Sequence, residues 1–306
     1  MGIVYSPARA WWLWPSCIIA SIEYTRLTTI PIGDGQRRFR MENCAEPIPL
    51  VRVFATRLQG PREGFSRSDT LYALPILNAQ GKPRPLPQVA LAIQRLLTVA
   101  RNRRDRQFLI PSVGVAPDEG GYTREQIAPL FASAPANCRF MEAEYAAAIP
   151  RPKACYRVVI AGSRSLKDYA PVAAALDALL RLEKGVFEVV HGGTGGVDTW
   201  AGRWAHERDL PVTVMPALWH ILQGPNVVRR TNRKGSVFNA SAGLDRNLHM
   251  AAYGNRVIAL WDGKSRGTQH MITLAKLLGR PVTVESVSHR HTDNLPTYQL
   301  MASLGT

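Results

Sequence analysis

The stretch Val189-Val190-His191-Gly192-Gly193-Thr194-Gly195-Gly196-Val197-Asp198 decides how this chain is read. An apolar run feeds a turn whose only bulky residue is Thr194, and helix-compatible sequence follows. A buried strand entering such a turn and then a helix makes a phosphate-binding site. Glycine lets backbone N–H groups approach an anion, and the helix N-terminus adds partial positive charge. The same order recurs on either side. Val158-Val159-Ile160-Ala161 leads into Gly162-Ser163-Arg164-Ser165, and Val257-Ile258-Ala259-Leu260-Trp261 leads into Asp262-Gly263-Lys264-Ser265-Arg266-Gly267-Thr268. Three such turns in about 130 residues predict a pocket for a phosphorylated small molecule, a nucleotide or nucleotide-derived ligand.

Outward from the turns the pattern alternates. It predicts strands at 156–161, 187–191, 212–215, 256–260 and 281–285, and helices at 170–183, 197–208, 244–253 and 268–279. A long loop covers 217–242. Alternation of this kind predicts a parallel sheet with helices on both faces. Pro150-Arg151-Pro152-Lys153 reads as a linker. Before it lies a smaller α/β unit, with strands at 50–55, 71–77, 108–113 and 136–140. Val89, Ala92, Ile93, Leu96, Leu97 and Ala100 recur at helical spacing within 88–101. Thr123 is placed to cap a short helix running to Phe131. The expected organisation is an irregular 1–49, an α/β domain at 50–149, a linker at 150–155, a Rossmann-like domain at 156–287 and a mobile tail at 288–306. Met41 opens a more ordinary sequence, so 1–40 reads as an over-extended start.

Of 306 residues 46% are hydrophobic and 20% charged, which predicts a folded core. The formal charge of +15 divides almost evenly between the halves and forms no basic arm. A diffuse excess favours polyanions, either phosphorylated ligands or nucleic acid. Cys17, Cys44, Cys138 and Cys155 have neither C-x-x-C nor metal spacing, the histidines are scattered, and a reducing cytoplasm is expected. The apolar run Trp11 to Ala20 is too short to span a bilayer, so no membrane partner is expected.

The candidate ligand-binding residues are Gly162, Ser163, Arg164, Gly192, Gly193, Thr194, Gly195, Gly196, Asp198, Arg246, Asn247, Asp262, Ser265, Arg266, Gly267 and Thr268. Ser hydroxyls and an Arg fork grip phosphate or carboxylate. Arg164 is alternatively an exposed residue on a tight turn. Asp198 is placed to accept hydrogen bonds from a ribose or from its own loop, or simply to cap its helix. Lys264-Ser265 superficially matches a P-loop, but position 258 is Ile where that motif needs its first Gly. Arg229, Arg230, Arg233 and Lys234 make the long loop either a lid or a solvated face. Trp219 and Trp261, near strand ends, are the tryptophans best placed as ligand neighbours.

In combination these segments resemble the SLOG superfamily, the Rossmann-like fold of the Smf/DprA and LOG proteins, and most closely its YspA-type branch. The resemblance rests on Gly162-Ser163-Arg164, Gly192 to Asp198 with Ala201 and Trp204-Ala205, Pro216-Ala217-x-Trp219, Arg246-Asn247-x-x-Met250, and Trp261 to Thr268. It implies a ligand pocket at the carboxyl ends of the strands, for nucleotides or NAD-derived or ADP-ribose-like signals, or for single-stranded DNA as in DprA. LOG enzymes place a glutamate three residues after the Gly-Thr of their second glycine loop, and after Gly267-Thr268 that position is Met271. Asp198 and Asp262 are the carboxylates left as catalytic candidates. A second resemblance, to a macro-domain-like family linked to phage and bacterial ADP-ribose chemistry, rests on Tyr72-Ala73-Leu74-Pro75, Val89 to Ala100, Phe108-Leu109-Ile110, Gly121-Tyr122 and Ile127 to Phe131. That family's early glycine-alanine phosphate segment is not recognisable here, which implies a domain without its ligand that serves as a scaffold or contact surface. Three functions follow: a nucleotide-sensing module, an N-glycosidic hydrolase of nucleotides or NAD-like substrates, or a single-stranded DNA binder. Oligomeric state is not legible.

Overall fold

The computed structural model describes residues 27–32, 36–41, 48–57, 64–65, 69–183 and 187–287. The apolar run at 11–20, Cys17, Cys44 and the tail beyond 287 lie outside them. The chain divides into two compact units, Met1–Ile48 and Pro49–Thr306. The first was expected to be irregular. It instead contains a hairpin in which β1 (Leu27–Ile32) pairs antiparallel with β2 (Gln36–Met41), Leu27 opposite Met41. β-branched Thr28, Thr29, Ile30 and Ile32 favour a strand.

The second unit holds two sheets. The first comprises β3 (Leu50–Arg57), β4 (Gly64–Phe65), β5 (Leu71–Leu77), β6 (Gln107–Ile110) and β7 (Cys138–Phe140), in the order β4-β5-β3-β6-β7. All its pairings are parallel except β4 with β5. Between β5 and β6 runs α1 (Leu86–Asn102), with Pro87 in its first turn, where a missing N–H costs no helical bond. The segment expected as one helix to Phe131 is α2 (Arg124–Ile127) followed by a 3₁₀ turn, Ala128–Phe131. Pro129 cannot donate the next helical bond, which explains the change. A short α3 (Ala143–Ala147) was not anticipated.

The second sheet is Rossmann-like. Its strands are β8 (Tyr156–Gly162), β9 (Phe187–His191), β10 (Val212–Val214), β13 (Arg256–Trp261) and β14 (Val282–Ser286), all parallel, in the order β10-β9-β8-β13-β14. Helices α4 (Ala170–Leu182) and α5 (Val197–His206) cover one face through Val172, Leu176, Ala201 and Trp204. Helices α6 (Ala242–Tyr253) and α7 (Arg266–Leu277) cover the other. Trp204 is fully buried against Phe187, and its indole N–H donates to Asp177 at 2.9 Å. The long loop is not featureless, for β11 (Arg229–Thr231) and β12 (Val237–Asn239) form an antiparallel ribbon within it.

The core behind α6 and α7 is continuous with that of the first sheet. Leu248, Met250 and Tyr253 belong to the same buried cluster as Leu96, Ile127 and Phe131. Fully buried Glu188 ties the connecting segment to this core. Its carboxylate accepts from Lys153 N at 2.7 Å, Ala154 N at 3.2 Å and the Tyr253 hydroxyl at 2.7 Å. Among the described residues, no helix is long and apolar enough to cross a membrane.

Candidate functional site

The chain leaves β8 toward β9 and β10 on one side, and later fills β13 and β14 on the other. The crevice between β8 and β13 is therefore a topological switch point, where open α/β sheets bind ligands. A cavity of about 450 Å³ sits there. The turns after β8, β9 and β13 all reach it, as do the starts of α5 and α7 and the middle of α6. Twelve of the sixteen residues chosen from sequence line it: Gly162, Ser163, Arg164, Gly192, Thr194, Asp198, Arg246, Asn247, Asp262, Ser265, Gly267 and Thr268.

Gly193, Gly195, Gly196 and Arg266 do not line it. Gly193 adopts φ +69° with its α-carbon turned toward Val214, and Gly196 adopts φ +72° wedged under the first loop. A Cβ on Gly196 would lie 2.5 Å from Ser163 O and 2.7 Å from Arg164 O. These glycines shape the turn, while Gly195 and Arg266 face solvent. Gly162 is also a packing glycine, for its missing Cβ leaves room for Val197 and for Leu260 O. Gly192 leaves the space into which the Arg246 guanidinium extends, and Arg246 Nη1 donates to Gly192 O at 2.7 Å.

The turn is less bare than the sequence suggests. Gly193 N donates to His191 Nδ1 at 3.1 Å, and Thr194 donates to Asp198 Oδ2 through both N (2.9 Å) and Oγ1 (2.8 Å). Of the roles open to Asp198, the structure displays the one that braces its own loop. His191 accepts at Nδ1, so its proton sits on Nε2. Burial lowers its pKa, Asp198 opposes this and Arg246 adds to it. Asp262 is similarly engaged. Its Oδ1 accepts from Lys264 N at 2.9 Å and Ser265 N at 2.7 Å, and its Oδ2 from Ser163 Oγ at 3.0 Å. Ser265 caps α7 by accepting from Thr268 N at 3.4 Å and Oγ1 at 3.0 Å. Asn247 reaches across to Gly267 O at 3.1 Å, joining α6 to the third turn.

The positive charge comes from side chains. Arg246 is half-buried at the cavity. Burial lowers its pKa, Asp198 counters this, and the nearby Arg164 lowers it further. Two arginines lining one crevice, half-buried Arg246 and exposed Arg164, with hydroxyls of Ser163, Thr194 and Thr268 around them and two helix N-termini behind, suit a phosphate. Met250 and Met271 supply an apolar floor, a feature sequence reasoning missed. Met271 follows Thr268 by one helical turn, and that spacing was the available signal. It also means that no carboxylate occupies that position.

Residues 156–221 match the YspA, cpYpsA-related SLOG family. The Gene 61 protein of Mycobacterium phage D29 is 38% identical over 130 residues, which is 41% of this chain and 93% of that protein. The chain belongs to the YspA, cpYpsA-related SLOG family. Domains of this kind are of the nucleotide-related ligand-binding or DNA-processing type. Among solved structures, DNA processing protein A (DprA) from Streptococcus pneumoniae aligns at 17% identity and a TM-score of 0.32, over 42% of this chain and 50% of that one. The chain thus spans half the length of that protein.

The long loop contributes nothing to the cavity lining, nor do Trp219 and Trp261. Trp219 packs on Phe238, and the Trp261 indole N–H donates to Ser265 O at 3.1 Å. Arg229 is tied back to Leu222 O by Nε at 3.0 Å and Nη2 at 2.8 Å. The loop is folded against its own ribbon rather than over the crevice. Among the described residues no group of His, Cys, Asp and Glu could hold a metal ion.

Proposed function

We propose that this SLOG-family protein binds a phosphorylated, nucleotide-derived ligand of the ADP-ribose or NAD type at the β8/β13 crevice, as a sensing module. The observation that carries this is the meeting of three strand-end turns in one cavity that Arg164 and Arg246 line. Within this reading, 156–287 acts as the ligand-binding domain, 50–149 as its scaffold, and 150–155 as the connection. Arg164 and Arg246 hold the phosphate. Asn247, Ser265 and Thr268 set the third turn, and Asp198 keeps the second turn in shape. A hydrolytic role is supported less well, because both candidate carboxylates accept hydrogen bonds from their own loops and an oxocarbenium-like transition state needs an available anion.

Calorimetric and thermal-shift titration with ADP-ribose, NAD, AMP and cyclic nucleotides tests the proposal. A ligand at a hundred times its Kd stabilises by about 2.7 kcal/mol. Stabilisation by at least one of these ligands, lost in Arg246→Ala and Arg164→Ala, is the expected result. Indifference to all of them sinks the reading. Turnover of any of them that disappears in Asp198→Asn would replace it with the hydrolase. Binding of single-stranded DNA with a steep salt dependence would replace it with a nucleic-acid role.

A further inference from the structure

Every residue from 228 to 237 is exposed, and together they form the outer part of the β11–β12 ribbon. The ribbon is cationic. It carries Arg229, Arg230, Arg233 and Lys234, and the surrounding stretch from Leu210 to Leu244 contains no Asp or Glu. Nearby on the same half, arginines are paired: Arg203 with Glu207 at 2.6 Å and Arg208 with Asp177 at 3.0 Å. Among the described residues, no carboxylate pairs with Arg230, Arg233 or Lys234. The ribbon is nevertheless held in shape at both ends. At its root, buried Asn239 accepts through Oδ1 from Val228 N at 3.2 Å, Ser241 N at 3.0 Å and Ser241 Oγ at 2.6 Å. At its tip, Asn232 Oδ1 accepts from Lys234 N at 2.9 Å and Ser236 N at 3.0 Å, and Gly235 takes φ +80°. Like charges fixed close together without counter-charges repel one another, and an anionic partner relieves that repulsion.

We infer that the β11–β12 ribbon is a docking arm for double-stranded DNA. Its tip enters the major groove, and Arg230, Arg233 and Lys234 reach the phosphates along the groove walls. The dimensions agree. Each strand has three residues, which rise about 10 Å at about 3.4 Å per residue. The B-DNA major groove is about 8.5 Å deep and, at about 12 Å wide, admits a two-stranded ribbon. The major groove of an RNA duplex is too narrow for it. Asn232 spends its side-chain oxygen on the turn, so recognition rests on phosphate charge and groove shape rather than on base edges. The formal charge of +15 adds long-range attraction to any such polyanion. None of these ribbon residues lines the crevice, so the inference stands independently of the nucleotide site.

Fluorescence anisotropy of the full chain with a short mixed-sequence DNA duplex tests this, beside the same sequence as single-stranded DNA and as an RNA duplex. The DNA duplex is expected to bind at least fivefold more tightly than either alternative. Each neutralised phosphate adds about 0.9 to the slope of log affinity against log salt, so replacing Arg230, Arg233 and Lys234 together by Ala should lower that slope by about 2.7. The same variant should weaken duplex binding at least tenfold at physiological salt. All three side chains are exposed, so its melting temperature should match that of the wild type. Replacing Arg104, Arg181 and Lys276 together by Ala removes the same charge from other exposed positions, and should leave duplex affinity within twofold. Absence of duplex binding, equal weakening by the two triple variants, or tighter binding of the single strand or the RNA duplex overturns the inference. If Arg246→Ala loses the duplex while the ribbon variant keeps it, DNA occupies the crevice and the ribbon assignment falls.

Discussion

Both sheets of the Pro49–Thr306 unit end strands in turns rich in glycine, yet the two sets of turns are used differently. After β6, Gly114 and Gly120 adopt φ of +79° and +138°. The space beside them is taken by Ile76, Ile127 and Tyr122, and a Cβ on Gly114 would sit 2.7 Å from Ile127 Cδ1. The Gly114 amide is already bonded to Glu119 Oε2 at 3.1 Å. This turn carries its own carboxylate where a ligand anion would go. In the second sheet the turns also brace themselves, through Asp198 and Asp262, but they leave a cavity between them that Arg164 and Arg246 line. Glycine content alone does not distinguish a plugged turn from an open one. The neighbouring side chains do.

The sharpest way to break this comparison is a pair of single methyl additions within one turn. Gly196→Ala places a Cβ against two carbonyls in a left-handed conformation. It should destabilise by about 3 kcal/mol or more, a fall in melting temperature of roughly 6–12 °C. Gly195→Ala, with nothing within 4 Å, should stay within about 0.5 kcal/mol. Equal effects in thermal denaturation would mean that the packing role assigned to Gly196 is wrong.

The next effect belongs to the seam between the sheets. Asp245 is raised to about 6 and His249 lowered to about 4, both chiefly by burial. The raised acid binds more protons folded than unfolded between pH 4 and 6, so its contribution to stability falls as pH rises through that window. The depressed histidine binds more protons unfolded, so its contribution rises from pH 4 to 6.5. The two oppose each other in the wild type. Relative to the wild type, Asp245→Asn should make stability climb more with pH over this range and His249→Gln should make it climb less, each by about 2 kcal/mol. Urea denaturation at pH 4.5 and 6.5 reads both slopes, and matching slopes in the two variants would contradict the assignment.

A smaller effect tests the plugged turn. Gly114→Ala should cost about 1–2 kcal/mol, because the contact falls on the mobile end of Ile127 while the positive φ is strained. Nucleotide affinity, measured by calorimetry, should not change. The smallest effect is expected at the long loop. Replacing Arg230, Arg233 and Lys234 together by Ala should alter nucleotide affinity by less than twofold, and a larger loss would restore the lid.

Much of the second sheet was legible because its signals are local. Valine-rich runs such as Val158-Val159 and Val189-Val190 lead directly into glycine turns, and Ala201, Trp204 and Ala205 recur at helical spacing. The three turns could be placed at one edge because a parallel alternating sheet puts every strand end there. What could not be read was which way each glycine faces. Gly192 and Gly193 are adjacent and chemically identical, and only the partners Arg246 and Val214, distant in sequence, tell them apart. The β11–β12 ribbon was missed because strands such as Arg229–Thr231 are polar and short, whereas the β1–β2 hairpin was overlooked although Leu27–Ile32 is rich in β-branched residues. A second cavity, between the two sheets, was invisible because 125–129, 213–221 and 239–249 meet only through tertiary packing.

Helix α6 has no solvent-facing side broad enough to detach along. Its buried residues Leu248, Met250 and Tyr253 share one core with α1 and the Ala128–Phe131 turn, and Gln94 Nε2 on α1 donates to Leu278 O beyond α7 at 2.8 Å. Cutting the gene at the proline pair near position 150 would therefore not liberate a well-behaved C-terminal fragment. It would strip a hydrophobic helix of its cover, and the resulting polypeptide would precipitate or cling to chaperones unless the missing half were co-expressed.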